Sequence, residues 1–80
     1  MTKELIQKNI KLSGEMDQYI SSNPSVRRDI PSGANIIITS AKDRALSLAN
    51  ISIAKNSRSG RLVEAHKSDG HWTFRAFKGA

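Results

Sequence analysis

The first quarter of the chain spaces its apolar and polar residues as an amphipathic α-helix does. Thr2 is a suitable N-cap, so the pattern predicts a helix over about residues 3–22. Polar side chains occupy the opposite side of this helix. The apolar stripe comprises Leu5, Leu12, Met16, Tyr19 and Ile20, with Ile6 and Ile10 along one margin.

Asn9 projects into the middle of this apolar stripe. One interpretation is a buried amide that satisfies a backbone group of a loop or a strand end. The other is a polar group that gives specificity to a helix–helix contact. We favour the first, because most side-chain hydrogen bonds in proteins are made to the backbone or to water.

Two proline-containing segments separate this helix from an apolar strand. Asn23-Pro24 ends the helix and begins a short helical turn that carries Arg27 and Arg28. Pro31-Ser32-Gly33 is a turn signal, and the residues from Ala34 to Thr39 are typical of a strand. The three consecutive isoleucines in that strand indicate burial on both faces, as in a central or parallel strand.

A second helix is expected after the strand. Ser40 and Asp43 have the spacing of a capping box, which predicts that the helix begins at about Ala41. Ser59-Gly60 is the predicted end, with Gly60 in the left-handed conformation.

The inner face predicted for this second helix is rich in small residues, which allow close packing on a sheet. Leu48 and Ile51 fall outside it, so they either pack on the first helix or form a surface for a partner. The predicted inner face comprises Ala45, Leu46, Ala49, Ser52 and Ile53.

The C-terminal segment has the pattern of a β-hairpin. Two alternating stretches flank Asp69-Gly70, a strong signal for a two-residue type I′ turn. A three-residue loop with a glycine bulge is the rival arrangement. The two-residue turn pairs Lys67 with Trp72, Ala65 with Phe74 and Val63 with Ala76 on an apolar face, and Glu64 with Arg75, His66 with Thr73 and Leu62 with Phe77 on the other face.

Together these elements predict an α+β fold in the order helix, strand, helix, strand, strand. The sheet would be three-stranded and mixed, with a right-handed parallel crossover followed by the antiparallel hairpin. The chain has 80 residues, so residues 1–80 are expected to form a single small domain with one core. Both helices would cover one face of the sheet, and the partly open opposite face favours a homodimer.

Several short motifs in the first half of the chain belong together. They are Lys3-Glu4-Leu5, Lys8-Asn9, Leu12-Ser13, Tyr19, Asn23-Pro24 and Ile30-Pro31-Ser32-Gly33-Ala34. With these motifs the chain resembles a family of short prokaryotic proteins of unknown function, over about residues 3–55. The resemblance implies no established activity. Some members look like parts of mobile or defence-associated gene sets. This association favours a function as part of a toxin–antitoxin pair or as a phage inhibitor.

Composition excludes several kinds of chemistry. Cysteine is absent, which excludes disulfides, thiolate zinc sites and thiol catalysis and fits a reducing cytoplasm. The longest apolar run, Ile36–Ile38, is far too short to span a membrane, and the N-terminus lacks the apolar core of a signal peptide. A Gly-rich phosphate loop, a nucleophile elbow and paired metal-ligand spacing are also absent. We therefore expect a cytoplasmic protein that is not an enzyme and has no cofactor, metal site or small-molecule substrate.

The net charge of +6 is unevenly distributed. Residues 1–23 are neutral overall, whereas residues 24–80 carry ten Lys and Arg against four acidic residues. A neutral helix attached to a basic body favours an anionic partner, either a nucleic acid or an acidic protein. The candidate contact residues bracket the hairpin or lie on the second helix: Arg58, Arg61, Lys67, Arg75 and Lys78, with Lys42, Arg44 and Lys55.

Three functions fit these features. The leading one is a non-enzymatic binding protein whose basic hairpin contacts nucleic acid. The second is an inhibitor or antitoxin that docks on one protein target. The third is a small ribonuclease toxin, because His66 and His71 share a face of the hairpin near Arg75, as general acid–base cleavage of RNA requires. The candidate protein-interface residues are Leu48, Ile51, Leu62 and Phe77.

Overall fold

The computed structural model describes residues 2–56 and 61–77 of the chain. Its elements are helix α1 (Lys3–Ser22), a short 3₁₀ helix (Pro24–Asp29), strand β1 (Asn35–Ser40), helix α2 (Arg44–Lys55), strand β2 (Leu62–Ser68) and strand β3 (His71–Ala76). The sheet has the order β1-β2-β3, with β1 parallel and β3 antiparallel to β2. The predicted α+β class, the order of the elements and the mixed three-stranded sheet are confirmed.

Helix α1 has the predicted bounds because both of its ends are capped locally. The Thr2 side-chain oxygen accepts a hydrogen bond from the Leu5 N–H at 3.2 Å. At the other end, the Asn23 N–H donates to the Tyr19 carbonyl oxygen at 2.9 Å, and Pro24 begins the 3₁₀ helix. Proline suits a first helical position because the N–H that it lacks would have no helical partner there.

Both helices contribute to one core on the same face of the sheet. Met16 of α1 and Leu46 of α2 are buried there against apolar side chains of all three strands. The strand residues of this core are Ile38, Val63, Ala65, Trp72 and Phe74. The predicted apolar stripe of α1 packs against it with Leu5, Leu12, Tyr19 and Ile20. The core therefore lies on the face of the sheet that the two helices cover. No described helix residue of this cluster packs against the other face.

The hairpin has the predicted register. Lys67 pairs with Trp72 and Glu64 pairs with Arg75. The turn residues both have positive φ, +50° at Asp69 and +79° at Gly70, as a type I′ turn requires. The two-residue turn is confirmed, and the alternative with a glycine bulge is wrong.

Helix α2 begins later and ends earlier than predicted. Its N-cap is Asp43, whose side chain accepts from the Leu46 N–H at 3.1 Å, so the predicted start at Ala41 is wrong. The reason is that Ser40, the first residue of the presumed capping box, is the last residue of β1. The helix ends at Lys55, before the predicted Ser59-Gly60 end, which lies outside the described residues.

Helix α2 is also rotated from its predicted orientation. Of the predicted inner face only Leu46 is buried, whereas Ala45, Ser52 and Ile53 are exposed. The other buried positions are Asn50 and Ala54. The prediction was wrong because it placed only apolar and small side chains inside, while a polar residue of α2 has its partners on the sheet.

Those partners are backbone groups at the free edge of β1. Alternate residues of an edge strand direct their N–H and carbonyl groups away from the sheet. Asn50 Nδ2 donates to the Ile38 carbonyl oxygen at 2.8 Å. One turn earlier, the Ser47 hydroxyl oxygen accepts from the Ser40 N–H at 2.9 Å. Side chains of α2 therefore take the place of a fourth strand at these two positions.

The same amide joins the two helices. Asn50 Nδ2 donates to Asn9 Oδ1 at 2.7 Å, and Asn9 Nδ2 donates to Asn50 Oδ1 at 3.1 Å. Asn9 therefore takes part in a helix–helix contact, as in the second interpretation, and its role in specificity stays a prediction. The backbone carbonyl of Ile38 receives its hydrogen bond from Asn50.

Within the described residues, neither helix is both long enough and apolar enough to cross a membrane.

Candidate functional site

The face of the sheet turned away from the core, called the open face below, has a polar centre. The register places Thr39 of β1 beside His66 of β2. On β3, Thr73 faces His66 and Arg75 faces Glu64. Thr39 is only 3 % exposed, whereas Thr73 and Arg75 are exposed. The open face thus joins a buried hydroxyl to exposed polar and cationic side chains.

The Thr39 hydroxyl links Glu64 to His66. Its Oγ1 lies 2.7 Å from Glu64 Oε2 and 2.7 Å from His66 Nδ1. An ionised carboxylate only accepts, so the hydroxyl donates to Glu64 and accepts from the Nδ1–H of His66. In the neutral ring this hydrogen bond selects the tautomer that carries its proton on Nδ1. The lone pair of the half-buried imidazole is then on Nε2.

Arg75 and His71 complete the open face on β3. Arg75 Nε lies 3.7 Å from Glu64 Oε1, and its side chain is 72 % exposed. His71 is exposed and pairs with Ser68, two residues beyond His66 on β2. The two histidines therefore share a face, as the sequence predicted. In the described part of the chain, no group of three or more His, Asp or Glu side chains is placed to hold a metal ion.

Two lysines near the hairpin turn are held in ion pairs. Lys67 pairs with Glu15 of α1, and Lys8 Nζ lies 2.9 Å from Asp43 Oδ2. The hydrogen bond from Lys8, helped by the Leu46 N–H, holds the pKa of the Asp43 carboxyl below its ordinary value. Lys67 was a predicted contact for an anionic partner, and in the structure its charge is already used to join β2 to α1.

The other predicted cations are divided between the two ends of α2 and the start of β2. Lys42 and Arg44 are exposed where α2 begins, Lys55 is exposed where it ends, and Arg61 is exposed just before β2. Within the described residues, none of these four forms an ion pair with an acidic side chain. The remaining two, Arg58 and Lys78, lie outside the described residues.

A cleft of about 270 Å³ opens where β2 begins and β3 ends. The 3₁₀ helix packs against β3 and so brings Arg27 and Arg28, both exposed, to this part of the molecule. The cleft is lined by Asp29, Pro31, Arg61, Leu62, Val63, Ala76 and Phe77. We call this region the arginine end and define it by its four arginines, Arg27, Arg28, Arg61 and Arg75.

The contact set predicted from the sequence lacked Arg27 and Arg28. They are far from the hairpin in the sequence, and only the packing of the 3₁₀ helix on β3 brings them near it. The available signal was local: an Arg-Arg pair in a proline-initiated turn of six residues, where side chains project into solvent.

The four predicted protein-interface residues have two different environments. Leu62 and Phe77 are half-buried and share the cleft at the arginine end. Leu48 is 53 % exposed on α2, and Ile51 is half-buried. Ile53, predicted to face the sheet, is 56 % exposed and is thus an apolar surface residue that the prediction missed.

Comparison with known proteins identifies a family from the first three quarters of the chain. A family model described as a family of unknown function, DUF5647, matches residues 4–63. The chain belongs to DUF5647. No curated protein and no solved structure matches it. The predicted resemblance to a family of unknown function is confirmed at this level, and the DUF5647 match stops as β2 begins, before the histidines and Arg75.

Proposed function

We propose that this DUF5647 protein binds the phosphate backbone of nucleic acid through the arginine end, without catalysing a reaction. The proposal rests on a difference in ion pairing between the hairpin turn and the arginine end. Near the hairpin turn, two lysines are held by acids of the fold. At the arginine end, Arg75 has only a loose pair with Glu64, and the other three arginines form no ion pair within the described residues.

The side chains of the arginine end suit phosphate. A guanidinium group is planar and can donate to two phosphate oxygens at once. The Arg75 side chain is itself exposed and its Nε lies 3.7 Å from Glu64 Oε1, so this loose pair does not prevent a phosphate contact. Phe77 lies in the cleft beside Arg61, which would give a base an apolar contact next to its phosphate. Such contacts supply affinity more than sequence discrimination.

The test is a titration of nuclease-treated protein with labelled duplex DNA, single-stranded DNA and RNA over a series of salt concentrations. Affinity should fall steeply as salt rises, because phosphate contacts release counterions. The double variant Arg61→Gln with Arg75→Gln should weaken binding uniformly across sequences. It should also reduce the slope of log affinity against log salt by up to about two units.

A charge-matched control keeps the test specific to this surface. Lys3→Gln with Lys11→Gln removes the same charge from exposed positions of α1 and should leave the slope unchanged. An equal loss in the control would show that net charge, and not the arginine end, supplies the affinity. The proposal is wrong if the wild-type protein binds none of the three nucleic acids more tightly than a neutral protein of similar size does.

A second candidate function, cleavage of RNA, is favoured by the hydrogen bonds of Thr39. They leave His66 Nε2 able to accept the proton of a ribose 2′-hydroxyl as its oxygen attacks the adjacent phosphorus. His71, when protonated, would give a proton to the departing 5′-oxygen, and Arg75 would stabilise the charge on the phosphorane.

Cleavage and binding are separable by substitution. His66→Ala with His71→Ala should leave the affinity for RNA nearly unchanged and abolish any cleavage. Only RNA should be cut, because DNA lacks the 2′-hydroxyl. Intact RNA after long incubation with the wild-type protein, on denaturing gels, would contradict this second function.

The remaining expectation is docking on an acidic protein target in a prokaryotic cytoplasm. The absence of cysteine supports the compartment. Binding to such a target through Leu48, Ile51, Leu62 and Phe77 would depend weakly on salt, whereas phosphate binding depends on it steeply. The salt series therefore also distinguishes an inhibitor from a nucleic-acid-binding protein.

A further inference from the structure

A second cleft, of about 340 Å³, lies between α1, α2 and β1, and it shares Leu62 of β2 with the cleft at the arginine end. Asn9 and Ser13 of α1 line one side of it, and Asn50, Ile53 and Ala54 of α2 line the other. None of the lining residues in the described part of the chain carries a charge. The proposed function makes no use of this cleft.

Large apolar side chains are exposed along this cleft. Ile53 is 56 % exposed and Ile36 of β1 is 36 % exposed, and both line it. Ile6 and Ile10 lie on the same side of α1 as Ser13, by helical spacing, and Ile10 is 68 % exposed. Single exposed apolar residues are ordinary, whereas a contiguous set marks an interaction surface.

At Ile36, the β1 edge inside the cleft has no hydrogen-bond partner among the described residues of α2. Asn50 bonds to Ile38 on this edge, but one turn later α2 carries Ala54, whose methyl group cannot form a hydrogen bond. Ile36 lies two residues before Ile38 in β1, so the backbone N–H and carbonyl groups of both residues point to the same edge. The cleft therefore combines apolar side chains with an edge to which another chain can bond.

The charge of the surrounding residues indicates which partner fits this cleft. Two copies with a net charge of +6 repel each other where their basic surfaces meet, but no described residue of this lining is charged, and residues 1–23 are neutral overall. Among the described lining residues, a phosphate would find no cation and an acidic protein would find no ion pair. The same patch presents both projecting isoleucines and a recess, which is the self-complementarity that a two-fold interface needs.

We propose that the cleft between α1 and α2 is the interface of a homodimer, in which isoleucines of one copy enter the cleft of its partner. This places the dimer contact on the helices and leaves the open face of the sheet uncovered. The proposal is independent of nucleic-acid binding.

The test is sedimentation equilibrium of nuclease-treated protein at high salt, where bridging by nucleic acid is suppressed. The wild-type protein should approach twice the protomer mass of 8.8 kDa in the micromolar range. Ile53→Lys should raise the dissociation constant of the dimer on the order of 100-fold, because it removes apolar contact and adds a charge in each copy. Ile10→Lys should act in the same direction.

Leu48→Lys is the matched control. Leu48 is in the same helix and is as exposed as Ile53, but it does not line the cleft. Leu48→Lys should leave the dissociation constant of the dimer within about twofold of the wild-type value, because a charge at the rim of an interface or far from it changes affinity little. Circular dichroism should show that each variant stays folded. A wild-type protein that remains monomeric throughout the range overturns the proposal, and so does equal dissociation by Leu48→Lys and Ile53→Lys.

Discussion

At the scale of single residues, buried polar side chains determine how the elements meet. Asn50 uses its whole amide, with donors to Asn9 and Ile38 and an acceptor for Asn9. Thr39 likewise uses its hydroxyl both to donate and to accept on the open face. Such residues stabilise a fold only while every partner is present, because a buried group that loses its partner costs more than the bond contributed.

Asn50→Ala should destabilise the protein by about 2–3 kcal/mol, because it leaves the Ile38 carbonyl and the Asn9 amide without this partner. Asn56→Ala is the control. Asn56 is exposed at the end of the same helix, and within the described residues its amide donates to the Ser52 carbonyl oxygen alone. It should cost less than about 1 kcal/mol. Urea unfolding measures both, and equal losses would show that the interhelical amide pair has no special role.

Asp43 makes the stability depend on pH. Its pKa is lowered in the folded state, mainly by the hydrogen bond from Lys8, so the unfolded chain binds its proton more readily. The stabilisation is present above the unfolded pKa of about 3.9 and is lost as pH falls through the lower folded pKa. Asp43→Asn keeps a side-chain cap and should flatten the loss of stability in acid.

The measurement is the melting temperature between pH 2 and 7, taken for wild type and variant together. Asp17→Asn removes an exposed carboxylate of α1 that has no ion pair within the described residues. It should preserve the wild-type acid profile. An unchanged profile in Asp43→Asn would mean that Lys8 does not favour the ionised carboxylate of the folded protein.

At the scale of elements, glycine has opposite effects on stability in a helix and in a turn. Gly14 lies inside α1, whereas Gly70 has φ +79° in the hairpin turn. A Cβ added at either position meets no atom within 4 Å. Backbone conformation alone therefore separates the two glycines, because only the turn needs the left-handed region that side chains disfavour.

Gly14→Ala should stabilise the protein by about 1 kcal/mol, since alanine favours the helix and restricts the unfolded chain. Gly70→Ala should destabilise it by about 1–2 kcal/mol, the cost of the left-handed conformation. Thermal or urea unfolding of the two variants measures the difference. Stabilisation by both substitutions would contradict a type I′ turn at Asp69-Gly70 in solution.

At the scale of the whole molecule, the two clefts differ in charge although they share Leu62. The arginine end lies where β2 begins and β3 ends, whereas the described residues that line the cleft between the helices are uncharged. One surface is suited to phosphate and the other to a second copy of the chain. None of the four arginines lines the cleft between the helices, so we expect a dimer formed there to leave their guanidinium groups accessible.

The two surfaces should therefore respond independently to substitution. Ile53→Lys should abolish dimerisation but leave the salt slope of nucleic-acid binding, per protomer, unchanged. Arg61→Gln with Arg75→Gln should do the reverse. Anisotropy titrations and sedimentation on both variants supply the comparison. If either variant alters both properties equally, the two surfaces are coupled and their separation is wrong.

Helix α1 and the hairpin could be predicted from residues that are close together in the chain. The bounds of α1 follow from Thr2 and Pro24, and the hairpin register follows from Asp69-Gly70 with alternation on either side. These features were predictable because caps, turns and periodicity act over a few residues, where the chain itself supplies the partners.

The rotation of α2 and the residues that make up each candidate site could not be predicted in this way, because they depend on contacts between separate elements. Asn50 faces inward because its partners are the β1 edge and Asn9, which are distant in sequence and invisible to a count of apolar positions. Arg27 joins the arginine end through the packing of the 3₁₀ helix on β3, and Lys67 is occupied by Glu15. Each outcome depends on a contact between separate elements, which only the folded chain specifies.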